Sequence, residues 1–379
     1  MGGKIISIYI FGQIAGLIGL VLMCCSVVLG ARIKFLEDYF YSQNKVYVNH
    51  HFIGIVSFIL ILLHPILLAT KFINGSFEFI WVANNLANSF GIMAFWLMMF
   101  LLFITFYKKV NYKNWYFTHK FLSLVYIFAG VHWLIVSSDV SINIPLRIFI
   151  LAVYLIGVLA IIYRTLIPKI AVKKYDYKII IKKVFERYLY LKLEAVGEKM
   201  SYKPGQFIFM EVLNEVHPFS LASNDEFLEL IIGTTGDWTI KLKELQINTI
   251  VKIEGPFGKF GQDIEGEEVW IAGGLGIVPF IGLVKNRKDK KITLYYSVRN
   301  RSDIINEKEI MENVSSNFKV IFIESNIQGR LTCDQVLCQS NSVKYLLCGP
   351  LSMVKSMKKG LLKLGVNPKN IISEEFYLR

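Results

Sequence analysis

Apolar residues are distributed unevenly along the chain. Before Pro168 they form long unbroken runs, at about 6–30, 48–70, 85–107, 116–137 and 146–167. Each run is near the ~20 residues that a bilayer core demands of a helix, so five membrane spans are predicted. After about Tyr175 the pattern changes to period two, as in Tyr177-Lys-Ile-Ile-Ile-Lys and Tyr188-Leu-Tyr-Leu-Lys-Leu-Glu. That alternation predicts antiparallel strands of a small barrel, separated by turns such as Lys203-Pro204-Gly205. Beyond about Glu267 a strand ending Trp270-Ile-Ala runs into Gly273-Gly274-Leu-Gly276-Ile-Val-Pro279 and an apolar helix, as in a parallel α/β domain. The predicted organisation is a helical membrane domain at 1–170, a β-barrel domain at 171–265 and an α/β domain at 266–379.

Composition supports this division. Of 379 residues 54% are hydrophobic, and the mean hydropathy is +0.46, too apolar for a soluble protein of two or three domains. The net charge of +13 raises nucleic-acid binding as an option, but the lysines are scattered and form no basic stripe with interleaved aromatics. Many basic residues flank the spans instead: Arg32, Lys34 and Lys45; Lys108, Lys109 and Lys113; Arg164, Lys169, Lys173 and Lys174. The positive-inside rule places those loops and the C-terminal half in the cytoplasm of a plasma-membrane protein, with the N-terminus outside. The first span is too long for a signal-peptide core and lacks an evident cleavage site. Five cysteines include no CxxC pair, which argues against a disulfide or zinc framework.

Five of six histidines fall in spans two and four: His50, His51 and His64, then His119 and His132. Ionisable groups inside a bilayer are costly and point to function. His50 and His64 are separated by about 21 Å of helical rise and only ~40° of rotation, so both face the bundle, whereas His51 would lie ~140° from His64. His119 and His132 are thirteen apart, also ~140° on an ideal helix, which requires a local distortion or differently rotated cofactor planes. Two neighbouring helices with an inner pair, His50 and His119, and an outer pair, His64 and His132, can clamp two flat metal cofactors. Bis-histidine ligation of haem leaves no open position and suits electron transfer. In the soluble half, the glycines at 273, 274 and 276 let backbone approach a pyrophosphate at a helix start, where Pro279 is tolerated.

Taken together, the chain resembles the NADPH oxidase and ferric reductase superfamily, a ferric reductase-like membrane helical bundle followed by a ferredoxin-NADP reductase-like module. The motif His217-Pro218-Phe219-Ser220-Leu221-Ala-Ser223 resembles its flavin segment, which implies contacts of Ser220 with the isoalloxazine ring and of His217 with the FAD phosphates or ribose. Gly236-Asp237-Trp238-Thr239 resembles the FAD pyrophosphate cradle. Lys203-Pro-Gly-Gln-Phe207 and Gly255-Pro-Phe-Gly258 resemble a barrel feature and the turn before the nucleotide domain. Gly273 to Pro279 resembles the NAD(P)H pyrophosphate loop, and Ser297 with Arg299 the site of the adenosine ribose and 2′-phosphate. Cys348-Gly349-Pro350 resembles the nicotinamide-side loop, and Phe376, with Tyr377 as alternative, the aromatic that covers the flavin.

The resemblance implies FAD, two b-type haems and NADPH or NADH as cofactors, with Ser220, Cys348 and Phe376 at the reacting centre. It implies dioxygen as acceptor, giving superoxide, with a ferric chelate as alternative. Absence of a calcium loop or Pro-rich docking segment suggests that accessory subunits are not required. Family members usually have six spans, so this chain is expected to lack the first. A membrane donor to a partner protein and a transporter with a regulatory domain are competing readings; no broken or inverted-repeat helices support the latter.

Overall fold

A computed structural model describes residues 2–40, 43–69, 86–107, 112–137, 142–170, 173–223, 226–287, 289–338 and 342–376. The chain divides into two compact units, Met1–Ala171 and Val172–Arg379.

The first unit is helical: α1 (Gly2–Gly30), α2 (Lys34–Phe40), α3 (Gln43–Ala69), α4 (Leu86–Tyr107), α5 (Tyr112–Lys120), α6 (Leu122–Ile135) and α7 (Ile144–Ile170). Among the described residues five stretches are long and apolar enough to span a membrane: Ile8–Gly30, Lys45–Ala69, Leu86–Phe106, Asn114–Ile135 and Ile144–Leu166. The fourth stretch joins α5 to α6 across a break at Phe121, where Phe121 N donates to Thr118 O and Leu124 N to Phe121 O. These three-residue steps tighten the turn between His119 and His132. A departure from a regular helix thus lies between the two histidines.

Large apolar side chains such as Phe52, Trp96 and Phe103 face outward, as a hydrocarbon surrounding permits. Inside, α1, α6 and α7 meet around Leu20, Cys24, Tyr126, Ile150 and Tyr154. A second cluster holds Ala94, Met98, Leu101 and Val125. Glycines permit the close approach: a Cβ at Gly130 would lie 1.9 Å from the Tyr154 ring, and one at Gly157 would lie 2.3 Å from Tyr126 Oη. Small residues replace the hydrophobic drive that lipid removes from helix association.

The second unit holds two sheets. The first is antiparallel: β1 (Lys174–Val184), β2 (Tyr188–Val196), β3 (Phe207–Val212), β4 (Glu215–Ser220), β5 (Leu228–Gly233) and β6 (Ile250–Phe257), in the order β4-β3-β6-β1-β2-β5. A bridge between Leu221 and Leu230 brings the end of β4 to β5 and nearly closes the barrel. Alternation is clear in β2, where Leu189, Leu191 and Leu193 are fully buried.

The second sheet is parallel: β7 (Glu268–Gly273), β8 (Ile292–Val298), β9 (Phe318–Glu324), β10 (Lys344–Pro350) and β11 (Ile371–Phe376), in the order β11-β10-β7-β8-β9. The order reverses between β7 and β10, which defines a crevice at their C-terminal ends. Buried Glu268 at the start of β7 pairs with Arg287 and accepts a 2.8 Å hydrogen bond from Trp270 Nε1. Arg287 also donates to Gly261 O, and Lys290 to Ile264 O. These cations fasten the segment linking the two sheets to the nucleotide domain.

Candidate functional site

The four intramembrane histidines come together in two pairs. Ring centroids of His50 and His119 are 6.0 Å apart with planes at 72°. Those of His64 and His132 are 6.5 Å apart at 70°. A metal bound between two trans imidazoles, with bonds of about 2 Å and roughly 1.2 Å from nitrogen to ring centre, separates centroids by about 6.3 Å. Both pairs fit. Among the described residues no group of three or more His, Cys, Asp or Glu is assembled for a metal, and each pair could supply two imidazoles to one.

Backbone carbonyls orient three of the rings. Nδ1 of His50 lies 2.8 Å from Ser26 O, that of His64 2.8 Å from Gly12 O, and that of His132 2.8 Å from Ala87 O. A carbonyl only accepts, so Nδ1 carries the proton in each ring and Nε2 presents its lone pair. His119 is stacked on Trp115, centroids 5.0 Å apart at 25°. His51 is exposed with its ring 5.8 Å from that of His50, and it is His50 that meets His119.

Glycine shapes the outer pair. A Cβ at Gly16 would lie 2.5 Å from His64 Nδ1, and one at Gly91 would lie 2.9 Å from His132 Nδ1. A cavity of about 250 Å³, lined by both rings, Gly16, Gly91, Met98 and Val125, borders this pair.

In the second unit the two flavin-type motifs meet through aromatic rings. His217 on β4 stacks on Trp238 at 4.0 Å and 27°, and Phe219 lies parallel to Trp238 at 6.0 Å. His217 Nε2 is 3.0 Å from Glu215 Oε2. Trp238 is itself buried, so it joins the segments as a wedge. Gly236 and Asp237 at the start of α8 (Asp237–Lys241) are exposed. Gly236 N donates to Thr239 Oγ1 over 3.1 Å, which occupies that hydroxyl with capping the turn.

Ser220 ends β4, opposite Phe207, with Pro218 exposed and Leu221 fully buried. The Ser223 hydroxyl lies 2.7 Å from Tyr202 Oη and accepts from Glu229 N at 3.1 Å. Ser223 is thus a buried pin that fixes the end of the flavin-type strand, a structural part that spacing alone does not reveal.

At the C-terminal edge of the parallel sheet the register aligns Gly273 with Ser297, Cys348 with Ala272 and Glu374, and Pro350 with Phe376. The nucleotide-type loop and the Cys348-Gly349-Pro350 loop are therefore neighbours at the crevice. Gly274 has φ +52 with open space beside it, whereas a Cβ at Gly276 would lie 2.1 Å from Cys348 O. One glycine supplies a left-handed turn and the other a close packing. Pro279 occupies the first turn of α9 (Val278–Val284). Gly282 on α9 packs on the backbone of Leu221 and Ser223, which couples the two motifs.

Cys348 is fully buried. Burial first, then the charge of Glu374, pushes its thiol well above the ordinary value. Pro350 is the exposed member of that loop. Arg299 is exposed just past β8. Tyr377 lies outside the described residues, and Phe376 is placed by its backbone. Glu374, in the same C-terminal string as Phe376, is a buried carboxylate beside Cys348.

These two arrangements, paired imidazoles between membrane helices and a barrel joined to a parallel nucleotide-type sheet, define a membrane flavoprotein-type electron carrier. A family model described as "Ferric reductase like transmembrane component" matches residues 15–130, and one described as "FAD-binding domain" matches residues 171–263. The chain belongs to the NADPH oxidase and ferric reductase superfamily.

Among its relatives, dual oxidase 2 of Sus scrofa is 23% identical over 312 residues, 70% of this chain and 20% of that protein. A probable dihydroorotate dehydrogenase B (NAD(+)), electron transfer subunit, of Pyrococcus abyssi is 32% identical over 129 residues, 34% of this chain and 51% of that protein. The chain thus spans about half or less of these relatives. A solved flavohemoglobin from Malassezia yamatoensis, with bound FAD and heme, shares the fold at TM-score 0.55 and 15% identity, over 98% of this chain and 97% of that one.

Proposed function

We propose that the chain carries electrons from NADPH or NADH, through FAD and two b-type haems, across a plasma membrane to dioxygen. One NAD(P)H and two dioxygen molecules give NAD(P)⁺, one proton and two superoxide ions. When bound, the flavin converts a hydride donor into single electrons and the haems relay them. The chain's own residues do the rest. His50 and His119 would hold the inner iron and His64 and His132 the outer, with the Nε2 lone pairs of His50, His64 and His132 aimed by backbone carbonyls and the His119 ring stacked on Trp115. With His64 and His132 both holding the outer iron, the acceptor would be reduced without binding the metal.

In the reductase unit, His217, Ser220 and the Gly236–Thr239 turn hold FAD. The loop Gly273–Pro279 holds the dinucleotide pyrophosphate, Ser297 and Arg299 its adenosine end, and Cys348 to Pro350 with Phe376 border the reacting rings. The basic loops orient this unit to the cytoplasm. The observation that carries the proposal is the pair of centroid distances, 6.0 and 6.5 Å, between oriented imidazoles on membrane helices.

Purified protein in lipid is expected to show two bis-imidazole haems per chain by pyridine haemochrome and low-spin paramagnetic resonance. Superoxide formation should require NADPH or NADH, FAD and oxygen. A turnover unaffected by removal of oxygen while ferric chelates are reduced makes the protein a ferric reductase instead. One haem or none overturns the relay. Co-purification of a stoichiometric acceptor protein replaces dioxygen with that partner.

A further inference from the structure

Three side chains of α3 reach the backbone of α1 at a fixed interval. His50, Ser57 and His64 stand seven residues apart, and so do the residues they meet, Ser26, Gly19 and Gly12. Nδ1 of His50 lies 2.8 Å from Ser26 O, Ser57 Oγ donates to Gly19 O over 2.8 Å, and Nδ1 of His64 lies 2.8 Å from Gly12 O. Seven residues fall about 20° short of two turns, so each trio forms one stripe along its helix, with ~10.5 Å of rise between members. The stripes run antiparallel, and the middle bond stands between the two that orient imidazoles. A serine inside a helix commonly donates to a carbonyl of its own preceding turn. Ser57, only 3% exposed, instead gives its one proton to a carbonyl 38 residues earlier in the chain. The helices approach closely along this line: a Cβ at Gly19 would lie 2.7 Å from Ile61 Cγ1, and one at Gly12 would lie 3.0 Å from Leu67 Cβ.

We propose that Ser57 is a positioning residue for both metal sites, one that acts through the helix register. This rests on the di-haem reading above. The Ser57 bond to Gly19 O fixes α1 axially against α3, and that register sets Ser26 O and Gly12 O beside the two Nδ1 atoms at once. Sliding α1 by one residue moves each carbonyl ~1.5 Å along the axis and turns it by ~100°, which removes both acceptors together. A helix cannot correct one end without the other, so a single hydroxyl midway between two ligands bears on both. A hydrogen bond from Nδ1–H to a carbonyl makes the ligating Nε2 more basic, and a more basic ligand favours ferric over ferrous iron. Loosening the register therefore moves both irons in the same direction.

The test uses full-length protein in lipid, with haem content, low-spin paramagnetic resonance and the potential of each haem measured for wild type, Ser57→Ala and Ser57→Cys. In Ser57→Ala both haems should shift about threefold toward the ferrous form, about 28 mV higher for a single electron, and both low-spin signals should change. Ser57→Cys keeps a weaker donor. It should shift both haems by less, and it carries the test if Ser57→Ala does not assemble. Gly19→Ala retains the accepting carbonyl and the Ser57 hydroxyl, so it should lower stability while both potentials stay in place.

Two haems with unchanged potentials in the Ser57 variant, a shift confined to one haem, or an equal shift in Gly19→Ala overturns this inference and leaves the relay standing. A wild-type protein with fewer than two haems overturns both.

Discussion

Gly16→Ala tests how the outer imidazole is held. Gly12 and Gly16 lie one turn apart on α1; the first supplies the carbonyl that accepts from His64 Nδ1, and the second supplies the gap the ring occupies. An added methyl carbon would lie 2.5 Å from Nδ1 and 2.8 Å from Cε1, about 0.9 Å inside ordinary van der Waals contact. The ring cannot yield without stretching its bond to Gly12 O. Overpacking of this kind costs about 1–3 kcal/mol. Disturbing a hydrogen bond that orients a metal ligand lowers affinity by roughly 10–100-fold.

The expected outcome is loss of the outer haem at dilution, read as a fall from two haems toward one by pyridine haemochrome, with flavin reduction by NADPH unchanged in stopped flow. Gly19→Ala is the control. Its methyl would press on Ile61, 2.7 Å away, which costs stability in the same helix pair without touching an imidazole. If Gly16→Ala keeps two haems with an unaltered low-spin signal, or if Gly19→Ala loses haem equally, the role given to the Gly12–Gly16 face is refuted.

Other outcomes follow from the same physical reasoning. Gly130→Ala, whose methyl would meet the Tyr154 ring at 1.9 Å, should lower the thermal midpoint of the detergent-solubilised protein by an overpacking cost of about 1–3 kcal/mol, and Tyr154→Leu should relieve it. Glu268→Leu removes the partner of Arg287 and leaves a buried cation, a loss of about 3–5 kcal/mol. Urea unfolding followed by flavin fluorescence should show it, and Glu268→Leu with Arg287→Met should recover most of it. Arg299→Ala should raise KM for NADPH by roughly 10–100-fold, the worth of a charge-assisted hydrogen bond, while KM for NADH stays unchanged. Equal effects on both dinucleotides would remove Arg299 from the 2′-phosphate site.

Much of this architecture was legible in the sequence because it depends on side-chain type. Hydrophobic runs mark spans, alternation marks β2, and a Gly-rich string between strand and helix marks the loop at 273–279. The positioning of each imidazole was not legible. Gly12 and Ala87 act through backbone carbonyls, and a carbonyl leaves no trace in residue identity; Ser26 adds its hydroxyl, 3.1 Å from His50 Nδ1, to its carbonyl. Gly16 and Gly91 are visible as letters, but only packing shows that each faces a ring. In the reductase unit, Ser223 and Thr239 carry hydroxyls that suggest ligand contact, and each also bonds within the fold, Ser223 with Tyr202 and Glu229 N and Thr239 with Gly236. A polar residue in a motif competes between ligand and backbone, and spacing does not decide the winner.

The two histidine spacings show how far such reasoning reaches. Fourteen residues is close to four whole turns, so His50 and His64 share a face of an unbroken α3. Thirteen residues is not, and a regular helix would send His119 and His132 to opposite sides. Pairing both with α3 therefore calls for an irregularity between them or for differently rotated cofactor planes. Any of twelve intervening residues would satisfy that demand as far as rotation is concerned. The tightened turns fall at Phe121, next to the inner ligand, which leaves α6 regular from Leu122 to Ile135 and able to pack on α4 and α7. Within a span, a break that freed backbone groups would leave them in hydrocarbon at a cost of several kcal/mol each. At Phe121 the backbone groups stay paired, because Phe121 N donates to Thr118 O and Leu124 N to Phe121 O.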